Sequence, residues 1–330
     1  MVGIKRSFWI VGILISGLCL CSCSRYTEPE QVYLVSAMGF DGVGDEIRVT
    51  VEIPVIGESE SSQQKTMRFT QTGEDVRRAL HRMESGLSRE LIFSHCALAA
   101  LGETLSKEQM QEIFAFAGTG EGIPLAAEAV VCSDAEKLLG VDGISGIAMG
   151  YEIHQILERE RQRTGAEMPC GIYELRGMAT PDTPIALPRF EVVEEKEGET
   201  VRLAGMDVLR PDGAPFRMTL DECVPYAILT DTFGESMENG IRWSRVRTDL
   251  ALLEQDDALQ LTLRLKMEAT GREQSDPQAV ADLLCQRTEA LFQRAREETG
   301  EDLFRMASRI GAASLDGVVL TVVCDVKVRG

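Results

Sequence analysis

In ALQLTLRLKMEA, residues 258–269, Leu259, Leu261, Leu263, Leu265 and Met267 alternate strictly with other side chains. Successive side chains of a strand point to opposite faces, so this period of two commits the segment to a strand with one buried face. WSRVRTDLALLE, residues 243–254, reads as a strand just before it. SDPQAVADLLCQRTEALFQRAREETG follows as a long helix. Ser275 or Asp276 is its N-cap, Pro277 lies in its first turn, and Gly300 comes just past its end. GVVLTVVCDVKVRG then places Val318, Leu320, Val322, Cys324, Val326 and Val328 on one face of a closing strand. The C-terminal part is therefore expected to be a β-β-α-β unit.

Upstream, QVYLVSAMGFD and IRVTVEIPV read as strands joined by the turn GVGDE, with Ile47, Val49, Val51, Ile53 and Val55 alternating. ESESSQQK, residues 58–65, is a polar loop, and MRFTQT a short strand. A helix follows with Val76, Leu80, Met83 and Leu87 on one face. LIFSHCALAAL reads as one buried strand, SKEQMQEIFAFA as a capped helix and LAAEAVVC as a strand. GIAMGYEIHQILERERQR reads as a helix with a charged end. ATPDTPIALP, residues 179–188, has three prolines and no helical period, so it reads as a linker or irregular crossing. RFEVVEE and TVRLAGMDVLR form a hairpin around KEGE. The whole is an α+β chain of mixed sheets with helices packed on them and more than one subdomain. Its expected parts are a leader at 1–22, an N-terminal α+β domain at 23–190 and a C-terminal α+β domain at 200–330.

The leader has its own composition. Lys5 and Arg6 precede an uncharged run from Phe8 to Leu20, 13 residues long. A spanning helix needs about 20 apolar residues, so the run fits the core of a secretory signal, with a short uncleaved anchor as the alternative. Three cysteines close it. Leucine stands directly before Cys19 and Cys21, which is too large for a cleavage position. Cys23 is preceded by Leu20, Cys21 and Ser22, the order of a bacterial lipobox. Cys23 is thus the expected lipid-bearing residue, attached to the bilayer through a diacylglyceryl group, and Cys19 and Cys21 leave with the leader. A metal site in this C-x-C-x-C run would lack further ligands nearby.

Net charge is −19. No basic footprint of the kind nucleic acid requires is visible, which disfavours that class, and the charge predicts repulsion from anionic headgroups, so something other than surface charge has to supply membrane attachment. The six remaining cysteines, Cys96, Cys132, Cys170, Cys223, Cys285 and Cys324, show no C-x-x-C pair and read as buried free thiols, with pairing after export as the alternative.

No catalytic constellation is legible. Of the three histidines, His81 falls on a helix flank, His95 in an apolar strand as a core residue, and His154 on a helix in an ambiguous position. GISGI lacks the second glycine of a nucleophile elbow, and GTGEGIP lacks the Lys-Ser/Thr of a phosphate loop. FDGVGDE lacks calcium-ligand spacing. No cofactor or metal site is indicated.

The chain resembles the Ger(x)C family, the lipoprotein subunits of spore germinant receptors. The likeness rests on the lipobox cysteine, on LVSAMGFD, on LIFSHCALAALGETLSKE and on LAGMDVLRPDGAPFRMTLDE, followed by the long helix, EDLFRMASRI and the closing strand. It departs where a Trp is usual after the lipidated cysteine, since Ser24 and Arg25 stand there, and where a glycine is usual in FRMTL. The resemblance implies a non-enzymatic lipoprotein of the spore inner membrane, exported to its outer face. It would assemble with two integral membrane subunits, A-type and B-type, one of them transporter-like, to answer nutrient germinants. A solute-binding lipoprotein that captures a small nutrient is the alternative.

Overall fold

The computed structural model describes residues 31–328 apart from 56–64, 120–121, 144, 167, 169–170, 180–183, 197, 211–213, 239–240, 256–257, 272–275, 313 and 316. In chain order the elements begin with β1 (Val32–Leu34), β2 (Ala37–Val43), β3 (Glu46–Pro54), β4 (Thr66–Gly73) and α1 (Val76–Glu84). Next come β5 (Glu90–Ile92), β6 (Leu98–Gly102), α2 (Lys107–Ala117), β7 (Glu128–Cys132), α3 (Ala135–Gly140) and α4 (Met149–Thr164). A 3-10 helix at Ile172–Ala179 leads to β8 (Ile185–Glu195), β9 (Gly198–Leu209), β10 (Phe216–Thr219) and α5 (Leu220–Leu229). The chain closes with β11 (Ser236–Glu238), β12 (Ile241–Gln255), β13 (Ala258–Gly271), α6 (Pro277–Thr299), α7 (Met306–Ile310) and β14 (Val319–Val328).

Eight strands form the main sheet, in the order β10-β9-β8-β7-β6-β2-β3-β4. Its centre, β2-β6-β7-β8, is parallel and its two wings are antiparallel. Central strands buried on both faces carry continuous apolar runs, as LAALG in β6 and AVVC in β7 do. One face packs Phe40, Val51, Leu101 and Val131 against α1, α2 and the 3-10 helix. The other packs Ala37, Ala100, Val130 and Phe190 in a cluster that continues through α3, α4 and α5 to the C-terminal sheet. Residues 190–200, between the two expected domains, include the turn of the β8–β9 hairpin, both of whose strands lie in this sheet.

The C-terminal unit has the expected order. Four strands run β11-β12-β13-β14, with β12 antiparallel and β14 parallel to β13. Leu261, Leu263, Leu265 and Met267 are buried in one cluster with Leu284, Leu291 and Phe292 of α6, which connects β13 to β14 and lies on β14. Asp276, rather than Ser275, caps α6: its carboxylate accepts the Gln278 N–H at 3.0 Å, and Gly300 closes the helix with φ 69°.

Four expectations change. LIFSHCALAAL is not one strand. The Cys96 N–H donates to the Phe93 carbonyl at 2.8 Å, closing a turn between β5 and β6 that leaves His95 exposed rather than in the core. Ile185–Pro188 of the supposed linker begin β8. Pro188 is tolerated there because β8 meets β7 at a single register pair, Val131 with Arg189, so little of that edge requires an N–H donor. Cys285 and Cys324 are not free thiols: α6 lies on β14, their Cα atoms are 6.6 Å apart, and they form a disulfide. Finally, α3 and α5 are helices that the sequence pattern does not reveal. The first has six residues, and the second is buried on most sides and holds Pro225.

Candidate functional site

Cys23 and its lipobox residues Leu20, Cys21 and Ser22 lie outside the described residues, as does Cys170. The other segments carrying the family resemblance lie within the fold, and three of them interlock along one edge of the main sheet.

The first is LVSAMGFD. Asp41 is buried near the end of β2, where Oδ1 accepts the Ala135 N–H at 2.8 Å and Oδ2 the Glu136 N–H at 3.2 Å. These are the first two residues of α3, whose N-cap Asp134 accepts the Lys137 N–H at 2.7 Å. Arg48, opposite Asp41 in β3, meets Asp41 at 3.2 Å, Asp134 at 3.1 Å and Glu136 at 3.2 Å. Burial nevertheless holds the Asp41 carboxyl above its ordinary pKa. A Cβ on Gly39 would stand 3.0 Å from the Ala135 Cβ, closer than ordinary contact, so glycine lets α3 lie here without being displaced. Ser36, in the same segment, donates to Glu52 at 2.9 Å.

The second is LIFSHCALAALGETLSKE. A Cβ on Gly102 would fall 2.1 Å from Asp41 Oδ1, so β6 ends in glycine to make room for that carboxylate. The Gly42 N–H donates to Thr104 Oγ1 at 2.9 Å. Ser106 and Gln109 form a capping box on α2, and Gln109 Nε2 also donates to the carbonyls of Gly44 and Glu46 at 3.2 and 3.0 Å. The cap of α2 thereby fastens the β2–β3 turn.

The third is LAGMDVLRPDGAPFRMTLDE. Asp207 of β9 is buried, and Arg189 Nε donates to it at 2.9 Å. Arg217 of β10 lies 3.6 Å from its other oxygen and pairs with Glu103, joining this segment to the second. Burial outweighs both cations and raises the Asp207 carboxyl above its ordinary pKa.

A crevice of about 240 Å³ opens between the second and third segments. The chain leaves β6 for α2 on one face of the sheet and leaves the adjacent parallel β7 for α3 on the other. Open parallel sheets bind ligands at the carboxyl ends of strands where connections diverge in this way. Leu105, Met110 and Leu209 supply apolar walls, and Lys107, Asp207 and Arg210 supply polar ones. Arg210 is held at 3.2 and 2.6 Å by the two carboxylate oxygens of Glu301. The crevice has the size and mixed lining for a small solute.

The histidines do not converge. His81 is exposed on α1, His95 lies in its turn, and His154 Nδ1 is 3.2 Å from Glu128 Oε2 with its side chain half exposed. Burial pushes the Cys96 and Cys223 thiols up to about 12 and Cys132 well above its ordinary value, so these three are protonated and unreactive near neutral pH. Among the described residues no His/Cys/Asp/Glu group could hold a metal ion, and no helix is long and apolar enough to cross a membrane. The interlocking roles of Asp41 and Asp207 were not read from sequence. Their signal is a lone carboxylate in an apolar strand, which burial makes expensive unless donors meet it.

A family model described as "Spore germination protein N-terminal domain" matches residues 25–190. Comparison with curated proteins finds no match. A solved structure described as "Crystal Structure of the GerBC protein" is similar with a TM-score of 0.42 and 9% identity, over 89% of this chain and 97% of that one.

Proposed function

The chain belongs to the spore germination protein family, and from that premise we propose that it is the lipid-anchored, non-catalytic subunit of a nutrient germinant receptor. The family match carries this reading, and it begins two residues after Cys23, the expected lipid site. Diacylglyceryl-Cys23 holds the folded part at the outer face of the spore inner membrane. Confinement to that surface raises its effective concentration near the integral A-type and B-type subunits, so modest contacts suffice for assembly. The interlocked corner gives the chain a rigid body to present to them.

The test is capture of the tagged chain from detergent-solubilised spore membranes, with co-purifying proteins identified by mass. Two multi-spanning proteins in stable proportion are expected. Recovery of the lipidated chain alone would sink the complex. Cys23→Ala should release the chain from membranes and impair germination, and full retention with normal germination would remove the anchor's role.

The crevice favours a second reading, capture of a small solute. Small nutrients should then raise the unfolding temperature, and Met110→Trp, which fills the crevice, should abolish the rise. A response unchanged in that variant would exclude the crevice as the site.

A further inference from the structure

The chain is acidic overall, at −19, yet one surface is not. Leu261, Leu263, Leu265, Met267 and Ala269 turn one face of β13 to the core. Arg264, Lys266 and Glu268 therefore face outward. The ladder sets Arg247 beside Lys266 and Asp249 beside Arg264 on β12, and Val323, Asp325 and Lys327 beside this row on β14. Arg242 and Arg245 extend it along β12.

Six exposed cations, Arg242, Arg245, Arg247, Arg264, Lys266 and Lys327, thus stand with three carboxylates, Asp249, Glu268 and Asp325, among the described side chains on the outward face of β12, β13 and β14. Of these, Glu268 is only 14% exposed. Lys266 pairs with Asp249 at 2.7 Å, Arg264 with Asp325 at 3.7 Å, Arg245 with Glu268 at 3.4 Å and Arg242 with Glu235 at 3.3 Å. Among the described residues Arg247 and Lys327 make no ion pair within 4 Å, although Lys266, helped by Arg264 and Arg247, holds the Asp249 carboxyl below its ordinary pKa. Val319 and Val323 stand on the same face, 61% and 36% exposed. An open basin of about 660 Å³ is lined by Arg245, Arg247, Lys266 and Lys327, with Glu268 and Asp325.

We propose that the outward face of the β12-β13-β14 sheet docks on anionic phospholipid headgroups and so fixes how the tethered chain lies on its membrane. The charge is complementary, and the sheet offers a broad cationic face with exposed valines for the interfacial region. The acidic remainder of the chain is repelled by the same headgroups, so attraction on one side and repulsion elsewhere select one orientation. A tether makes weak docking effective, because the face is never far from lipid. The proposal takes the membrane location from the reading above, but not the face.

The test supplies the tether artificially. The chain from Ser24 onward carries an N-terminal histidine tag and is held on vesicles by nickel-chelating lipid. One set is otherwise phosphatidylcholine, and the other contains phosphatidylglycerol. Amine labelling is read by mass at each lysine. Labelling of Lys266 and Lys327 should fall at least about fivefold on the anionic set, the scale of one cation near such a surface. Lys137 and Lys196, on other surfaces, should not change to that extent. Protection should vanish in 1 M salt and in Arg247→Glu/Arg264→Glu, with Trp243 fluorescence confirming the variant's fold. Equal labelling on both vesicle sets would overturn the proposal and would leave the Cys23 anchor untouched.

Discussion

Glu52 Oε1 accepts the backbone N–H of Met149 at 2.8 Å, from a strand 97 positions earlier in the chain. Its other oxygen takes the Gly150 N–H at 3.0 Å and the Ser36 hydroxyl at 2.9 Å. Met149 and Gly150 open α4, whose N-cap Ala148 has no side-chain acceptor to offer. The helix therefore borrows its cap from β3. Helix N-termini leave unpaired N–H groups, and a buried carboxylate satisfies them with charge-assisted bonds. Asp41 does the same for α3, so α3 and α4 are each fastened to one of two adjacent strands of the sheet.

Glu52→Ala should remove that cap and leave two buried N–H groups unmet, costing roughly 2–4 kcal/mol. Glu52→Gln keeps one carbonyl acceptor and should lose less. Denaturant unfolding read by the fluorescence of the buried Trp243 measures both. Stability unchanged in the alanine variant would show that α4 does not depend on the cap.

Burial holds Asp41, Glu52 and Asp207 above their ordinary values of 3.8, 4.5 and 3.8. Above those ordinary values the folded chain binds protons more tightly than the unfolded one, so stability is lost as pH rises through the folded pKa values. The unfolding temperature should therefore climb as pH is lowered from neutrality toward those ordinary values, helped by relief of self-repulsion at a net charge of −19. Glu52→Gln should flatten the slope. A temperature that falls steadily over the same range, or a glutamine variant with an unaltered slope, would contradict this account.

The parts legible in sequence are those whose signal is local. The alternation of β13 and β14, the capping box of Ser106 and Gln109 and the Asp-Pro start of α6 all operate within a few residues. The parts that were hidden depend on distant partners. Asp41 meets Ala135, 94 positions away, and the neutral look of SDAEKLLG reveals neither α3 nor its cap. The crevice needs Met110 and Leu209 brought together by the strand order. The basic face escapes notice because its cations alternate with buried leucines and are outweighed in the chain's total charge. The turn at His95 is hidden for a local reason: Ser94-His95 is a short polar break in an apolar run that otherwise has the pattern of one strand.

The Cys285–Cys324 disulfide joins α6 to β14 across 39 residues, the crossover of the C-terminal unit. Closing a loop of that length in the unfolded chain is worth at most about 4 kcal/mol by chain entropy. Cys285→Ala/Cys324→Ala should lower the unfolding temperature, and dithiothreitol should act on the native chain but not on this variant. Alkylation in denaturant without reductant should label Cys96, Cys132 and Cys223, and leave the peptides bearing Cys285 and Cys324 joined until reduction. Recovery of alkylated Cys285 before reduction would show the pair to be open. Stability insensitive to the double substitution would mean that α6 and β14 are held by packing alone. In that case Leu284, Leu291 and Phe292, buried on α6, would be the residues to truncate next.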